Sequence, residues 1–495
     1  MNNKFYITTA IPYPNGSPHL GHMLEIVLTD TIARYRRQTG KLVIFGTGTD
    51  EHGKKNYQTA MDNNQTVMEF LDGTVSNFIK LYRSLNINYD TFIRTSDQKN
   101  HYPGVQHLWR KLVDNNDIYK DTFTGQYCTG CESYKTEREL VDNKCPDHPT
   151  RKIEEVTEMN YFFRLSKYVD RIKDVIMKGH LKISPLDKTN ELVSMLENLG
   201  DISFSRPKSS VPWGVPVPDD PDQVIYVWCD ALPNYLTSQG YPNNMEQFKL
   251  AWPADLHVIG KDILKFHAII WPAILMSADL ELPKEIYVHG FVTNKGLKMG
   301  KSNGNSMDPS YLIKKYGVDL VRFYFMSMVG GHDVDFTEQH LVERINGDLV
   351  NNLSNFCYRT QMLVKKKLNN RIGKINNSCP TVNAAIEKCE QIKKYYEQYD
   401  IKMAINSILE LSTIGNAYLN DVKPWNPHST DEQINECLSI CVNIIAMIAS
   451  LLEPVCPDLC NYLLYQLNLD SFPHASFTIE DHQLGEPKIL VNRLV

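Results

Sequence analysis

Two short motifs carry residue types suited to handling phosphate. Pro18-His19-Leu20-Gly21-His22 ends a Pro/Gly/Asn-rich turn and opens a helical pattern. A helix N-terminus offers unpaired N–H groups and partial positive charge, which attract a phosphate. Gly21 has no Cβ and lets a flat base approach the backbone closely. His19 and His22, three residues apart, share a helix face and can donate to one phosphate group. Far downstream, Gly296-Leu297-Lys298-Met299-Gly300-Lys301-Ser302 places two lysines in a glycine-flanked loop, able to close over a triphosphate. Taken singly, both motifs have ordinary readings as surface histidines and a solvated basic turn. A third cluster, Cys128-Thr129-Gly130-Cys131 followed by Cys145-Pro146-Asp147-His148, supplies the S₃N ligand set of a tetrahedral structural zinc site. A disulfide pair is the alternative, which a reducing compartment disfavours.

The elements around these residues belong to an α/β protein. Residues 4–10 read as a strand, and Leu20, Leu24, Val27, Leu28, Ile32 and Tyr35 recur at helical spacing. Gly40 closes that helix, and residues 42–46 form a second apolar strand. Strand, turn, helix and strand make a βαβ unit, hence a parallel sheet. Between residues 119 and 222 the texture changes to short strands, turns and the Cys/His cluster, interrupted by one helical stretch at 187–199. Strand-like runs return at 224–228, 255–259 and 285–288. The middle region therefore reads as an insertion in a split α/β domain. After residue 335 long amphipathic helical stretches take over, at 383–419 and 431–452, with Lys423-Pro424-Trp425-Asn426-Pro427 as the break between them. The expected divisions are 1–118, 119–222, 223–335 and 336–495.

A chain of 495 residues with 42% hydrophobic and 22% charged residues is an ordinary multidomain globular protein. The most apolar run, residues 444–452, stops at Glu453-Pro454, well short of the roughly 20 residues of a membrane span. The first residues read as a strand and not as a targeting peptide. A net charge of −6 argues against indiscriminate nucleic-acid binding, while local patches still decide RNA contacts. Eleven cysteines, an odd number scattered along the chain, fit a cytoplasmic, reducing setting.

Taken together, a His-x-Gly-His motif early in a βαβ unit and a Lys-Met-x-Lys-Ser loop after the last strand resemble class I aminoacyl-tRNA synthetases. The resemblance implies a Rossmann-type catalytic domain split by a zinc-containing connective insertion, then a C-terminal helical anticodon-binding bundle. It implies that His19, His22, Lys298 and Lys301 stabilise charge as an amino-acid carboxylate attacks the α-phosphate of ATP, with Mg²⁺ on the leaving pyrophosphate. Gly21, Gly260 and Asp262 match nucleotide-binding positions, the last two at the ribose. Gly300 stands where the family loop has serine; both lysines are kept, and glycine adds backbone freedom.

The resemblance tightens to the methionine-specific branch through Ala10-Ile11-Pro12-Tyr13, Gly48-Thr49-Asp50-Glu51-His52-Gly53, Tyr226-Val227-Trp228-Cys229-Asp230-Ala231, and Phe266-His267 before Trp271-Pro272. It implies a methionine pocket of Ile11, Tyr13, Trp228, Tyr235, Ile263, Phe266 and His267, with Asp50 pairing the substrate ammonium. An aromatic-walled slot suits a polarizable thioether. It further implies that Asn355, Arg359 and Trp425 read the anticodon of tRNA(Met), and that Cys128, Cys131, Cys145 and His148 hold one structural zinc. A monomer is expected. The alternatives are a nucleotidylyltransferase or another class I synthetase, and, from a different class, a zinc-containing RNA-binding protein without enzymatic activity. The last explains the Cys/His cluster and leaves the two phosphate motifs unexplained.

Overall fold

The computed structural model describes residues 3–130, 133–135, 140–146, 148–197, 199–294, 296–299, 307–473 and 476–495. The chain forms two compact units. The first comprises Met1–Thr29, Gly40–Arg83 and Ile87–His289; the second comprises Asp30–Thr39, Ser84–Asn86 and Gly290–Val495.

The first unit is built on a six-stranded parallel sheet. Its strands are β1 (Lys4–Thr9), β2 (Leu42–Thr49), β3 (Thr91–Arg94), β4 (Lys182–Ser184), β5 (Leu256–Gly260) and β6 (Glu285–His289). They lie in the order β3-β2-β1-β5-β6-β4. The inner strands read as near-continuous apolar runs because both faces of a parallel sheet are covered; every residue of β5 is buried. Gly48 is required where β2 meets β3, since a Cβ there would lie 2.1 Å from the Ile93 carbonyl oxygen. Helix α1 (Leu20–Gln38) follows β1 and buries Leu20, Met23, Leu24, Ile26, Val27 and Leu28.

Two differences from the sequence reading concern this sheet. Residues 224–228 do not join it: Asp220–Ile225 pairs antiparallel with Pro216–Val217 and Ser205–Pro207, and the chain turns helical at Val227–Ala231. The apolar run spans a strand end and a helix start, which periodicity over so few residues does not separate. Conversely, β4, only three residues long, comes from within the 119–222 segment and forms a sheet edge. The rest of that segment centres on an antiparallel ladder between Ile118–Cys128 and Ile153–Phe163, flanked by Ser133–Lys135 and Ile202–Ser203.

The second unit is mainly helical. Its bundle contains α2 (Asn355–Leu368), α3 (Pro380–Glu397), α4 (Ile401–Val422), α5 (Asp431–Leu452) and α6 (Pro457–Gln466). A π-helical segment, Ile345–Ser354, leads directly into α2. The expected single helix over 383–419 is a hairpin instead: Tyr399 takes a left-handed φ of 60°, and the Asp400 side chain caps α4 by accepting from the Met403 N–H. α5 opens with a reciprocal capping box between Thr430 and Gln433. It is long and apolar enough to cross a membrane, yet nearly all of it is packed inside the bundle as a core helix.

Arg322, wholly buried, anchors the second unit. Its Nη2 pairs with Asp30 Oδ2 at 2.8 Å, and the guanidinium also donates to the carbonyls of Leu85, Pro454 and Val455. A buried cation so fully partnered loses little from desolvation, whereas removing Asp30 would strand it.

Candidate active site

The residues expected to bind substrate in the first unit share one structural address. Ile11, Tyr13 and the His19–His22 motif follow the C-terminal end of β1, Asp50 follows β2, Gly260 ends β5, and Asp262 and Ile263 come next. Connections run one way from β1 through β2 to β3 and the other way from β5 to β6, so the sheet reverses order between β1 and β5. In open α/β sheets that reversal leaves a crevice at the carboxyl ends of the strands, where ligands bind.

The two motif histidines stack, with ring centroids 3.7 Å apart and planes within 15°. Their hydrogen bonds assign the protons. His19 Nδ1 accepts from the Gly21 N–H at 3.1 Å, and His22 Nδ1 accepts from the His19 N–H at 3.2 Å. Each Nδ1 is thus a lone-pair acceptor, and each Nε2 carries the proton as a donor. Gly21 leaves room for the His19 ring: a Cβ would sit a tight 3.0 Å from it, so the ring would have to yield. One turn further along α1, Glu25 bonds His289 Nε2 at 3.0 Å. Burial pushes the Glu25 carboxyl up, and the His289 bond opposes that shift. Sequence pattern singles out neither Glu25 nor His289, although His289 stands at the end of β6.

The aromatic residues expected to line a pocket do come together. Trp228 stacks on Phe266 with ring centroids 3.8 Å and planes 12° apart, and its ring meets that of His267 in a T-shaped arrangement with centroids 6.5 Å apart. Tyr235 OH and His267 Nε2 are 2.7 Å apart, and His267 Nδ1 lies 3.0 Å from the Ile263 carbonyl oxygen. A carbonyl only accepts, so Nδ1 bears the proton, Nε2 is the acceptor and the Tyr235 hydroxyl donates. Burial is the main cause that lowers the His267 pKa to about 4, against opposing contributions from Ile263 and Asp262. The imidazole is neutral at physiological pH. The Tyr13 hydroxyl accepts from the Asn56 N–H at 3.3 Å, tying this wall to the segment after Asp50.

Asp50 is buried, and its N–H donates to the Pro12 carbonyl at 2.9 Å, which joins the loops after β1 and β2. Its neighbour Glu51 is tied down: Arg94 binds both carboxylate oxygens, at 2.7 and 3.0 Å, with Thr49 and Ser96 adding hydroxyl donors. A further network escapes sequence reading. Asp230 lies between His52 Nδ1 at 2.5 Å and His101 Nε2 at 2.9 Å. Burial pushes the Asp230 carboxyl up, but the two histidines outweigh it and hold the group below its ordinary value.

In the second unit, Val292–Asn294 pairs antiparallel with Leu297–Lys298 and parallel with Val334–Asp335. Asp335 Oδ1 accepts from the Gly296 N–H at 3.0 Å and the Thr293 hydroxyl at 2.9 Å, so the base of the basic loop is a braced hairpin. Gly300, Lys301 and the Lys298 side chain lie outside the described residues. On α2, Arg359 places its guanidinium 4.7 Å from the Trp425 ring centroid and donates to Asn420 Oδ1 at 2.7 Å. Trp425 is 40% exposed and so stands at the surface of the bundle. Asn355 is exposed one turn before Arg359.

Cys128, Cys145 and His148 converge, their ligand atoms all within 4.8 Å of one another, with Cys145 Sγ 4.0 Å from His148 Nδ1. Cys131 lies outside the described residues.

Comparison with known proteins decides the family. Residues 5–156 and 148–361 match the family model "tRNA synthetases class I (M)", and residues 374–482 match "Anticodon binding domain of methionyl tRNA ligase". The chain belongs to the methionyl-tRNA synthetases. It is 39% identical over 479 residues to a methionine–tRNA ligase of Caldanaerobacter subterraneus, covering 95% of this chain and 74% of that one. The corresponding ligase of Rickettsia bellii is 38% identical over 491 residues, covering 96% of each chain. The structure resembles Mycobacterium tuberculosis methionyl-tRNA synthetase in complex with methionyl-adenylate, with a TM-score of 0.93, 35% identity, and coverage of 98% and 99%.

Proposed function

We propose a division of labour among these residues in a methionine–tRNA ligase reaction. A methionine carboxylate oxygen attacks the α-phosphorus of ATP, the bond to the bridging oxygen breaks, and pyrophosphate leaves. The 3′-terminal ribose hydroxyl of tRNA(Met) then attacks the methionyl carbonyl carbon of the adenylate, the acyl–phosphate bond breaks, and AMP leaves. ATP is the substrate as its magnesium complex. The observation that carries the assignment is the shared address of Ile11, Tyr13, His19, His22, Asp50, Gly260 and Asp262 at the strand-order reversal.

His19 and His22 donate through Nε2 to the phosphate oxygens that gain charge, and Lys298 and Lys301 add positive charge to the same transfer. Phosphoryl and nucleotidyl transfers need positioning and electrostatic stabilisation more than a general base. Gly21 admits the base, while Gly260 and Asp262 meet the ribose. Asp50 pairs the methionine ammonium, and Trp228, Tyr235, Ile263, Phe266 and His267 enclose the thioether with Ile11 and Tyr13. Sulfur–aromatic contact favours that side chain, yet one methylene is worth only about 1–3 kcal/mol in such a slot. Asn355, Arg359 and Trp425 read the anticodon, with Trp425 offering a partly exposed plane beside a guanidinium.

Cys128, Cys145 and His148 fit a structural zinc in donor chemistry and spacing: ligands about 2.0–2.3 Å from a tetrahedral ion lie somewhat under 4 Å apart. Cys131 would be the fourth ligand. The ion would tie the tip of the antiparallel ladder within residues 119–222, which we take as the connective insertion. The ten described cysteines are all free thiols, which suits a reducing cytoplasm, and the chain is taken to act as a monomer.

Amino-acid-dependent ATP–pyrophosphate exchange with a panel of amino acids tests the reading. Exchange should require methionine and fall steeply with leucine, isoleucine, valine or cysteine. Equal exchange with any of these, or exchange without an amino acid, would refute it.

A further inference from the structure

The helix that carries Asn355 and Arg359 continues the same face toward its C-terminal end. At 3.6 residues per turn, Asn355, Arg359, Met362 and Lys366 fall within about 60° of arc and span roughly 16 Å of α2. Asn355 and Lys366 are exposed, and Arg359 and Met362 are partly so. The last turn of α2 carries three consecutive lysines, Lys365, Lys366 and Lys367, which the helical register separates. Lys365 points about a quarter-turn away from the centre of the stripe and pairs with Glu486 at 2.5 Å. Lys367 lies about 110° from that centre on the other side. Lys366 is in line with Arg359, two turns and about 10 Å further on, and has no ion-pair partner among the described residues.

We propose that Lys366 is a backbone-phosphate contact for the RNA strand whose bases meet Arg359 and Trp425, so that one face of α2 reads bases at one end and grips phosphate at the other. The proposal rests on the anticodon assignment above. A chain of net charge −6 repels RNA overall, so affinity must come from local cations placed beside the reading residues. An ammonium on a flexible stem suits such a contact, being a point charge that tolerates variation in the position of a phosphate. The contact positions the strand and carries no sequence information. The competing role for a lysine here is interaction with the partial negative charge at the helix C-terminus. That role would apply equally to Lys367, so the pair separates the two explanations.

The decisive experiment is steady-state charging of tRNA(Met) by the full chain between 50 and 200 mM salt. Lys366→Ala should raise KM for tRNA about 3- to 10-fold and flatten the plot of log(kcat/KM) against log salt by about 0.7–0.9, the loss of one phosphate contact. Lys366→Arg should restore most of the loss, and Lys367→Ala should stay within twofold of the parent. With a tRNA carrying one substituted anticodon base, the Lys366→Ala loss should multiply with the base effect. The Trp425→Ala loss should largely disappear into that base effect. Equal behaviour of Lys366→Ala and Lys367→Ala, an unchanged salt slope, or a parallel fall in tRNA-independent ATP–pyrophosphate exchange would overturn the proposal. If Arg359→Ala and Trp425→Ala both charge tRNA like the parent, the anticodon assignment itself fails and takes this proposal with it. A silent Lys366 beside damaging Arg359 and Trp425 variants removes the phosphate contact alone.

Discussion

Replacing Tyr235 with phenylalanine deletes one oxygen from a buried wall and leaves the ring to pack against His257, 4.2 Å away, and Trp271, 6.0 Å away. The deleted hydroxyl is the donor to His267 Nε2 at 2.7 Å. Because Nδ1 is committed to the Ile263 carbonyl, His267 cannot recover by shifting its proton. The variant therefore leaves a buried acceptor unsatisfied, a cost of about 1–3 kcal/mol. Tyr6 is unaffected, since its hydroxyl donates to the Tyr235 main-chain carbonyl at 2.9 Å. If the His267 ring is part of the methionine wall, about 1–2 kcal/mol of that cost should appear as a 5- to 30-fold rise in KM for methionine in ATP–pyrophosphate exchange. KM for ATP should not move. The same geometry fixes the pH behaviour: an imidazole whose pKa is about 4 stays neutral above pH 5, so KM for methionine in the parent should be flat from pH 6 to 8. An unchanged KM for methionine in Tyr235→Phe, with the whole cost in thermal stability, would remove the pair from the pocket. A break in the pH profile near 6.5 would refute the proton assignment.

Lys301→Ala should slow pre-steady-state adenylate formation far more than it weakens methionine binding, because it acts on charge present mainly in the transition state; an unaltered rate in rapid-quench measurements would refute its role. The protein should hold one zinc per chain by elemental analysis, and Cys145→Ser should release it; chelator-free protein without zinc would end that assignment. Burial is the main cause raising the Asp319 pKa from 3.8 to about 6, so the native state keeps a proton that the unfolded chain has lost between those values. Stability from this group is present below pH 4 and falls as pH rises through 6, by at most about 3 kcal/mol at 1.36 kcal/mol per pH unit. Asp319→Asn keeps an acceptor for the Leu459 N–H and should be more stable than the parent at pH 7 but not at pH 4, as read by urea denaturation.

How legible the fold was depended on the length over which a pattern ran. β1, β2, β5 and β6 each carry an apolar run and are mostly buried, and α1 and α5 hold helical spacing over many turns. β4 has three residues and no period to detect, yet it completes the sheet edge through pairing with β6. The break between α3 and α4 is hidden in the sequence because both flanks are helical and no glycine or proline marks it. It rests on Tyr399 in a left-handed conformation and on the Asp400 cap, and an aspartate immediately before the apolar-periodic run from Ile401 was the available signal.

The site divides along a different line. Residues that meet substrate by resemblance sit in short, distinctive strings after strands, so type and neighbourhood pointed to them. The groups that hold those strings in place are distant in sequence: His52 and Asp230 are 178 residues apart, and His101 and Asp230 are 129 apart. A buried carboxylate needs partners, but sequence does not say which of fifteen histidines will supply them. Both His52 and Asp230 belong to the strings that carry the resemblance, two residues from Asp50 and Trp228 respectively. The structure explains their place there. An ionised Asp230 accepting from both imidazoles fixes the short Val227–Ala231 helix, and with it Trp228, against the loop that carries Asp50. On the proposed assignment, the ammonium clamp at Asp50 and the aromatic wall at Trp228 are thereby held in register by a single buried charge. Neither Asp50 nor Trp228 could be positioned by its own local sequence.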